Sequence, residues 1–144
     1  MKYFKSLLVI VALFALNTIS AQSVTDKWPE MKNFQDLLTK VSRETQKGNF
    51  APLKGNGEYL VKYAVAIDAN KFPEHVTRTS GLTEKVETLH NETKDLNDII
   101  NSNGSNDAIL KALTKVNNSF ETVLNTVNGT AKAKSAAPAP KAKK

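Results

Sequence analysis

The sequence contains no cysteine. This absence excludes disulfide frameworks, thiolate metal sites, covalently attached haem, thiol nucleophiles and the lipid-bearing cysteine of bacterial lipoproteins. Aromatic residues make up only 7% of the chain and there are two histidines, so few side chains are available to bind a metal or haem. The 144 residues suffice for one small domain.

Long hydrophobic runs are also scarce. The run at residues 6–16 is 11 residues long, whereas a membrane-spanning helix needs roughly 20 apolar residues. Two lysines precede this run and small residues follow it, an order that predicts a secretory signal peptide over residues 1–21. We expect cleavage between Ala21 and Gln22, and a mature product that is periplasmic or secreted without a lipid anchor. An uncleaved membrane anchor is the alternative.

Positive charge is concentrated at the two ends of the chain. Residues 1–21 hold two lysines and residues 130–144 hold five, and neither segment contains an acid. Subtracting these seven charges from the net charge of +6 leaves −1 for residues 22–129. A nucleic-acid-binding domain needs a basic face that displaces counterions, so we expect no nucleic-acid partner. The basic tail is either a solubilising extension or a weak contact with anionic surfaces of the cell envelope.

Apolar residues recur every three or four positions from Trp28 onward, which indicates amphipathic helices. The first series is Trp28, Met31, Phe34, Leu38 and Val41. Thr25 or Asp26 is expected to cap this helix. Pro29 fits its first turn, and Gly48 fits its end.

A link rich in Gly and Pro, residues 49–57, leads to a shorter second helix. Its apolar series is Leu60, Tyr63, Ala64 and Ile67. Gly55 and Gly57 each weaken a helical turn by about 1 kcal/mol relative to Ala. We therefore expect the second helix to begin near Glu58.

The third series is the longest and predicts the longest helix, from after Pro73 through Asn101. Its members are Val76, Thr79, Thr83, Val86, Leu89, Thr93, Leu96 and Ile100. Gly81 interrupts it, so a break there with regular helix from Leu82 is the alternative.

A turn at residues 101–104 separates this series from a fourth helix, which Ser105 is expected to cap. The apolar positions of the fourth helix are Ile109, Leu113, Val116, Phe120, Val123 and Val127. Gly129 is its expected end.

Four amphipathic helices with short links bury their apolar faces most simply as an antiparallel up-down-up-down four-helix bundle. We predict an all-α fold with a signal peptide at 1–21, the bundle at 22–129 and a disordered Ala/Lys/Pro tail at 130–144, because the tail has no large apolar side chain. A helical hairpin that dimerises is the alternative if the second helix fails to pack. The sequence leaves open whether the protein is a monomer or a homodimer.

The histidines do not form a shared metal site. His75 and His90 lie 15 residues apart, roughly 22 Å along one helix, which is too far for one ion. Glu87 and His90 have the Glu-x-x-His spacing of di-iron bundles, but such a site needs two of these pairs and the chain has one. Val86 and Leu89 are core positions, so Glu87 and His90 are better explained as a surface pair.

The sequence contains equally few candidate residues for catalysis or for binding phosphate or haem. No serine belongs to a recognised nucleophile motif, and Gly55-Asn56-Gly57 lacks the preceding strand and the Walker pattern of a phosphate loop. In size and helix count the chain is similar to exported b-type cytochromes and cytochromes c-prime. That resemblance implies a Met from the first helix and a His from the last as haem ligands. Met31 is available, but the fourth helix has no His, so we expect Met31 to be a core residue and predict no cofactor and no enzymatic activity.

The start WPEMKNFQDLLTKVSRETQKGNFAPLK, with ETLHNE and LTKVNNSFETVL further on, resembles a group of small exported Bacteroidetes four-helix proteins. The resemblance spans roughly residues 28–127. It implies interior histidines that suggest a metal site, of which only His90 is matched here. Gln35, Arg43, Asn117 and Glu121 stand at the other positions, so the resemblance implies a metal site that has been lost or rebuilt.

Taken together, these patterns predict a non-enzymatic exported bundle that acts as a binding or structural protein of the cell envelope. The alternative is a metal- or haem-binding bundle in periplasmic metal handling or electron transfer, with His90 and Glu121 as the candidate metal ligands. In the structural interpretation the ring of His90 is neutral and hydrogen-bonded to an amide or hydroxyl. It faces the first or fourth helix, near Gln35 or Asn117.

Overall fold

The structure, a computed structural model, describes residues 28–68, 71, 73 and 80–136, with side chains described through residue 128 and not at residue 80. Its regular secondary structure within these residues is entirely helical, as predicted. The five helices are α1 (Pro29–Gln46), α2 (Ala51–Gly55), α3 (Gly57–Ala66), α4 (Ser80–Asn101) and α5 (Asn106–Ala136). The predicted signal peptide with its cleavage site at Ala21 and Gln22, His75, and residues 137–144 lie outside the described residues.

Helix α1 presents the predicted apolar series to the core. Trp28, Met31, Phe34, Leu38 and Val41 are all buried. The helix begins at Pro29 with Trp28 as its N-cap and no side-chain cap, so the prediction that Thr25 or Asp26 caps it is wrong.

The end of α1 is the one that the sequence predicts. Gly48 has a φ of +86°, its N–H donates to Thr45 O at 2.9 Å, and the N–H of Asn49 donates to Glu44 O at 3.0 Å. These two bonds form a Schellman motif, which glycine accommodates because the left-handed conformation strains residues that carry a Cβ atom.

The link between the first two predicted helices contains the additional short helix α2. Its Leu53 is buried in the core, and Asn56 Nδ2 donates to Pro52 O at 2.7 Å just after it. Helix α3 begins at Gly57, where an added Cβ atom would collide with Asn97 Oδ1 of α4. Gly57 therefore allows two helices to approach closely, a role that its low helix propensity does not reveal.

Helix α4 ends at Asn101 as predicted, in a second Schellman motif. Asn103 has a φ of 58°, its N–H donates to Ile100 O at 3.1 Å, and the N–H of Gly104 donates to Ile99 O at 2.8 Å. The described part of α4 has 22 residues and α5 has 31, so the prediction that the third series forms the longest helix is wrong for the described residues. The predicted helical residues 74–79 lie outside them.

Helix α5 starts as predicted and ends later than predicted. Ser105 Oγ accepts a hydrogen bond from the N–H of Ala108 at 3.1 Å, which is the expected cap. The helix then continues through Gly129 to Ala136, so residues 130–136 are helical and the prediction of disorder is wrong for them. An interior Gly costs only about 1 kcal/mol relative to Ala, and Ala and Lys, which dominate the following segment, are strong helix formers.

All five helices contribute to one apolar core. Helices α4 and α5 share the most extensive packing, α3 packs on α1 and α4, and α1 meets α5 over a smaller contact. The rings of Phe34 and Phe120 join α1 to α5, with centroids 5.0 Å apart and planes tilted by 52°. The pocket described below lies between α1 and α5, where the two helices have this smaller contact.

Candidate functional site

A small pocket lies between the C-terminal part of α1 and the first half of α5. It offers about 10 Å³ to the centre of a water molecule, which is room for about one such molecule. Its lining residues are Ser42, Thr45, Gln46, Leu110, Leu113, Thr114 and Asn117. We call this set the α1–α5 pocket.

Three of the four buried residues of the α1–α5 pocket are polar, and the fourth is Leu113. Asn117 is 5% exposed, Ser42 is 3% exposed and Thr45 is 2% exposed. Gln46 and Thr114 are half-buried, so the pocket deepens from these two residues toward the other three. Buried polar groups in native proteins are nearly always hydrogen-bonded, which makes the partners of these side chains informative.

The carboxamide of Asn117 is only half satisfied. Ser42 Oγ donates to Asn117 Oδ1 over 3.4 Å, a long hydrogen bond, and Nδ2 has no partner within the described part of the chain. Exchanging the oxygen and nitrogen positions of the amide does not change this conclusion, because the bond to Ser42 uses only one end of the group. One polar atom of Asn117 therefore has no partner among the described residues.

The two threonines of the pocket bond to their own helices. Thr45 Oγ1 donates to Val41 O and Thr114 Oγ1 donates to Leu110 O, each at 2.8 Å. Because the hydroxyl proton is used in each case, the lone pairs of the threonine oxygens remain as acceptors. No lining residue carries a charge, so the pocket is neutral and offers both donors and acceptors.

His90 occupies a different place from the one predicted. Its Nε2 lies 3.0 Å from Ile67 O, and Ile67 is the C-cap of α3. A carbonyl oxygen only accepts, so Nε2 carries the hydrogen and the ring joins α4 to the end of α3. The expectation that His90 faces the first or fourth helix near Gln35 or Asn117 is wrong, and its partner is a backbone carbonyl rather than an amide or hydroxyl.

The candidate metal ligands do not assemble into a ligand set. Glu121 is half-buried on α5. Within residues 28–68, 71, 73 and 80–136, no three His, Asp or Glu side chains group in a way that could hold a metal ion. Of the other positions that the resemblance implies, Arg43 is exposed, whereas Asn117 is buried in the α1–α5 pocket.

Met31 and Asn56, which the sequence analysis considered as possible site residues, both have structural roles. Met31 is fully buried in the core. Asn56 bonds to the carbonyl of Pro52 between two helices, so the Gly-Asn-Gly segment forms a helix junction.

One feature of the sequence could have indicated the pocket, namely polar residues at buried positions of two helices. Thr45 follows Val41 by four positions and therefore continues the buried face of α1, with Ser42 beside it, but both residues are polar. Asn117 similarly follows the core residue Val116. Polar residues at buried helical positions indicate either an internal hydrogen bond or a site.

Comparison of the chain with protein-family models, curated proteins and solved structures found no match. The resemblance to small exported four-helix proteins therefore stays a prediction. No helix in the described part of the chain is both long and apolar enough to cross a membrane.

Proposed function

We propose that the chain is an exported, non-enzymatic four-helix bundle that acts as a binding or structural protein of the cell envelope. In this proposal its basic C-terminal end attaches it weakly to anionic surfaces. The observation that carries the proposal is the segregation of charge: residues 22–129 sum to −1, and residues 130–144 hold five lysines and no acid.

The helix contacts support an up-down-up-down arrangement of α1, α3, α4 and α5. The start of α3 meets the end of α4 at Gly57 and Asn97, and the end of α3 meets the middle of α4 at His90. Lys85 Nζ near the start of α4 donates to Thr126 Oγ1 on the later half of α5 at 3.0 Å. Helix α1 then closes the arrangement against α5. The packing of α3 on α1 and α4 favours this arrangement over the dimeric hairpin.

The continuation of α5 supports the attachment role. Val127 is the last core residue among the described side chains of this helix, and the helical backbone extends nine residues further, to Ala136. At 1.5 Å per residue this extension is about 13 Å long and carries Lys132 and Lys134 in its sequence. A helix of this kind holds part of the positive charge at a fixed distance from the bundle.

The ionisable side chains support a role without catalysis. The ion pairs Lys32–Asp36, Lys47–Glu44 and Lys71–Asp68 each join neighbours in sequence at the surface. The pKa of Glu44 is lowered by hydrogen bonds from Lys47 and Asn49, which is a local surface effect. Catalytic acids and bases are instead usually shifted by burial in a cleft.

The metal- or haem-binding alternative gains no specific support from the geometry. His90 donates through Nε2 to Ile67 O, which leaves Nδ1 as its possible ligand atom, but no three His, Asp or Glu side chains of the described residues group in a way that could hold a metal ion. Met31, the candidate haem ligand, is packed within the core. We therefore do not develop that alternative as a second function.

Vesicle binding tests the attachment role. In one variant all five tail lysines become glutamine: Lys132, Lys134, Lys141, Lys143 and Lys144. In the matched control five exposed lysines of the helical body become glutamine: Lys54, Lys62, Lys94, Lys111 and Lys115. Both variants lose the same charge, so they differ only in where it is removed.

Co-sedimentation with vesicles of phosphatidylglycerol at low salt is the measurement. We expect the unaltered protein and the body variant to bind, and the tail variant to lose binding, because each lysine near an anionic membrane contributes about 1 kcal/mol. Added salt should weaken binding through screening, and vesicles of phosphatidylcholine should not bind. Equal loss in both variants, or binding that survives removal of the tail charges, would contradict the proposal.

A further inference from the structure

We propose that Asn103 is a site of spontaneous deamidation, at which the side-chain amide is lost and aspartate or isoaspartate forms. The chain contains three Asn-Gly pairs, at residues 56–57, 103–104 and 128–129. The inference rests on the different places that the fold gives these three pairs. It is independent of the attachment role proposed above.

Deamidation at an Asn-Gly pair is a reaction of the chain with itself and then with water. The backbone nitrogen of Gly104 gives its proton to water or hydroxide and attacks Cγ of Asn103. A bond forms between these two atoms, the bond from Cγ to Nδ2 breaks, and Nδ2 takes up a proton and leaves as ammonia. Water then opens the resulting succinimide ring at either carbonyl, which gives aspartate or isoaspartate. Glycine favours ring closure because it has no Cβ atom beside the nitrogen and adopts many backbone conformations.

Asn103 lies in the exposed turn between α4 and α5. The Schellman motif at the end of α4 holds this turn, and within it the N–H of Gly104 donates to Ile99 O at 2.8 Å. That bond occupies the nitrogen that must attack, so ring closure requires the turn to open. Opening exposes little further surface, because residues 101–103 are exposed already. Local openings of this kind have the lowest free-energy cost in a folded protein.

Asn56 is held more firmly than Asn103. Its Nδ2 donates to Pro52 O at 2.7 Å, and its backbone carbonyl accepts from the N–H of Leu60 in the first turn of α3. Gly57 is buried where α3 approaches Asn97 of α4. Ring closure at this pair would have to break the side-chain bond and detach the start of α3 from α4.

Asn128 and Gly129 lie inside helix α5, which continues to Ala136. Within a helix, the N–H of each residue donates to the carbonyl four residues earlier, so the attacking nitrogen is again occupied. Val127, the preceding residue, is fully buried in the core. Opening at this pair therefore requires the helix to unwind beside a core residue. Because the opening free energy limits each reaction, we infer that Asn103 reacts before both Asn56 and Asn128.

The isoaspartate product does not fit the turn. In isoaspartate the chain runs through the side-chain carbon, so the backbone gains one atom. Gly104 already packs so closely that an added Cβ atom would collide with Ile99, and the bond from its N–H to Ile99 O depends on the spacing of the turn. We therefore expect isoaspartate to break this bond and loosen the end of α4. Aspartate keeps the length of the backbone and should leave the turn closed.

Peptide mapping of the folded full chain after incubation in mildly alkaline buffer tests the inference. Trypsin cleaves after lysine and places the three pairs in separate peptides, residues 55–62, 95–111 and 116–132. Liquid chromatography with tandem mass spectrometry measures how much of each asparagine has become aspartate or isoaspartate. We expect conversion at Asn103 to be at least about fivefold faster than conversion at Asn56 or Asn128.

The matched control is the same chain incubated in urea. All three asparagines precede glycine, so we expect their rates in the unfolded chain to agree within about twofold. Two further samples test the effect on the turn: the isoaspartyl form, separated by chromatography, and the variant Asn103→Asp, which reproduces the aspartyl product. The isoaspartyl form should unfold at a lower urea concentration than Asn103→Asp.

Three outcomes of the mapping would overturn the inference. One is conversion at Asn56 or Asn128 that is as fast as conversion at Asn103 in the folded protein. Another is no conversion at Asn103 during the time in which the unfolded chain converts fully, because the Schellman motif would then block the reaction. The third is an equal preference for Asn103 in urea, because the fold would then not be its cause. An isoaspartyl form as stable as Asn103→Asp would contradict the expected opening of the turn.

Discussion

Replacing Asn117 with leucine should stabilise the free protein. Leucine has the same branching and the same number of side-chain heavy atoms as asparagine, although its methyl groups are larger, so the substitution changes the polarity of the site more than its shape. A buried polar group without a partner costs about 1–3 kcal/mol, and the substitution removes that cost at Nδ2. The hydrogen bond that is lost, from Ser42 over 3.4 Å, is long and contributes little.

The net change in the free energy of unfolding also depends on Ser42. The hydroxyl of Ser42 loses its acceptor at Asn117 in the single variant, which offsets part of the gain, so we expect a net gain of about 1 kcal/mol for Asn117→Leu. Adding Ser42→Ala removes that hydroxyl as well and should bring the gain to about 2 kcal/mol. For a chain of this size, each kcal/mol corresponds to a rise in Tm of roughly 3–5 °C.

Urea unfolding followed by circular dichroism measures both variants. We expect the midpoint to rise while the slope of the transition stays unchanged, since the surface exposed on unfolding is nearly the same. Asn118→Leu, at an exposed position of the same helix, should change stability by less than about 0.5 kcal/mol. A loss of more than about 1 kcal/mol in Asn117→Leu would refute the reasoning, because it would show that the amide is well satisfied in the native protein.

Further substitutions test individual contacts. Gly48→Ala should lower stability by about 1 kcal/mol in urea unfolding, because its φ of +86° strains a residue with a Cβ atom; an unchanged midpoint would contradict this role. Gly57→Ala should destabilise through its collision with Asn97, and the loss should be smaller in the background of Asn97→Ala; equal losses in both backgrounds would argue against the close approach. His90→Ala should lower stability by about 1 kcal/mol through loss of the bond to Ile67 O. Excess zinc or copper should leave the Tm of the unaltered protein unchanged, whereas a rise of several degrees that disappears in His90→Ala would favour a metal site.

Much of the fold follows from local signals in the sequence. The buried face of α1 and the cap of α5 were predictable because helical periodicity and Ser105 act within a few residues. Gly48 was likewise predictable as the end of α1, since its left-handed conformation is a property of the local turn. These features depend little on the rest of the molecule.

The features that the sequence did not predict depend on competition or on distant contacts. Gly129 is a plausible helix end by itself, but the helix formers that follow it outweigh its cost. The role of Gly57 depends on Asn97, which lies on another helix. The periodic pattern of one helix contains no information about how closely its neighbour approaches.

The candidate site was less predictable than the fold for the same reason. Only a resemblance pointed to Asn117, and no pattern in the sequence pointed to Ser42. The two residues are 75 positions apart and meet only when α1 packs on α5. His90 was singled out, but its partner is the carbonyl of Ile67, and a backbone group leaves no mark on the amino-acid pattern.

The proposed function depends on the claim that the protein is exported and that its signal peptide is cleaved between Ala21 and Gln22. The most direct measurement is the intact mass of the protein recovered by osmotic shock from the cells that produce it. We predict a mass that corresponds to residues 22–144 and recovery in the shock fluid. A mass that still includes residues 1–21, or protein that stays with the membranes after a salt wash, would contradict this claim.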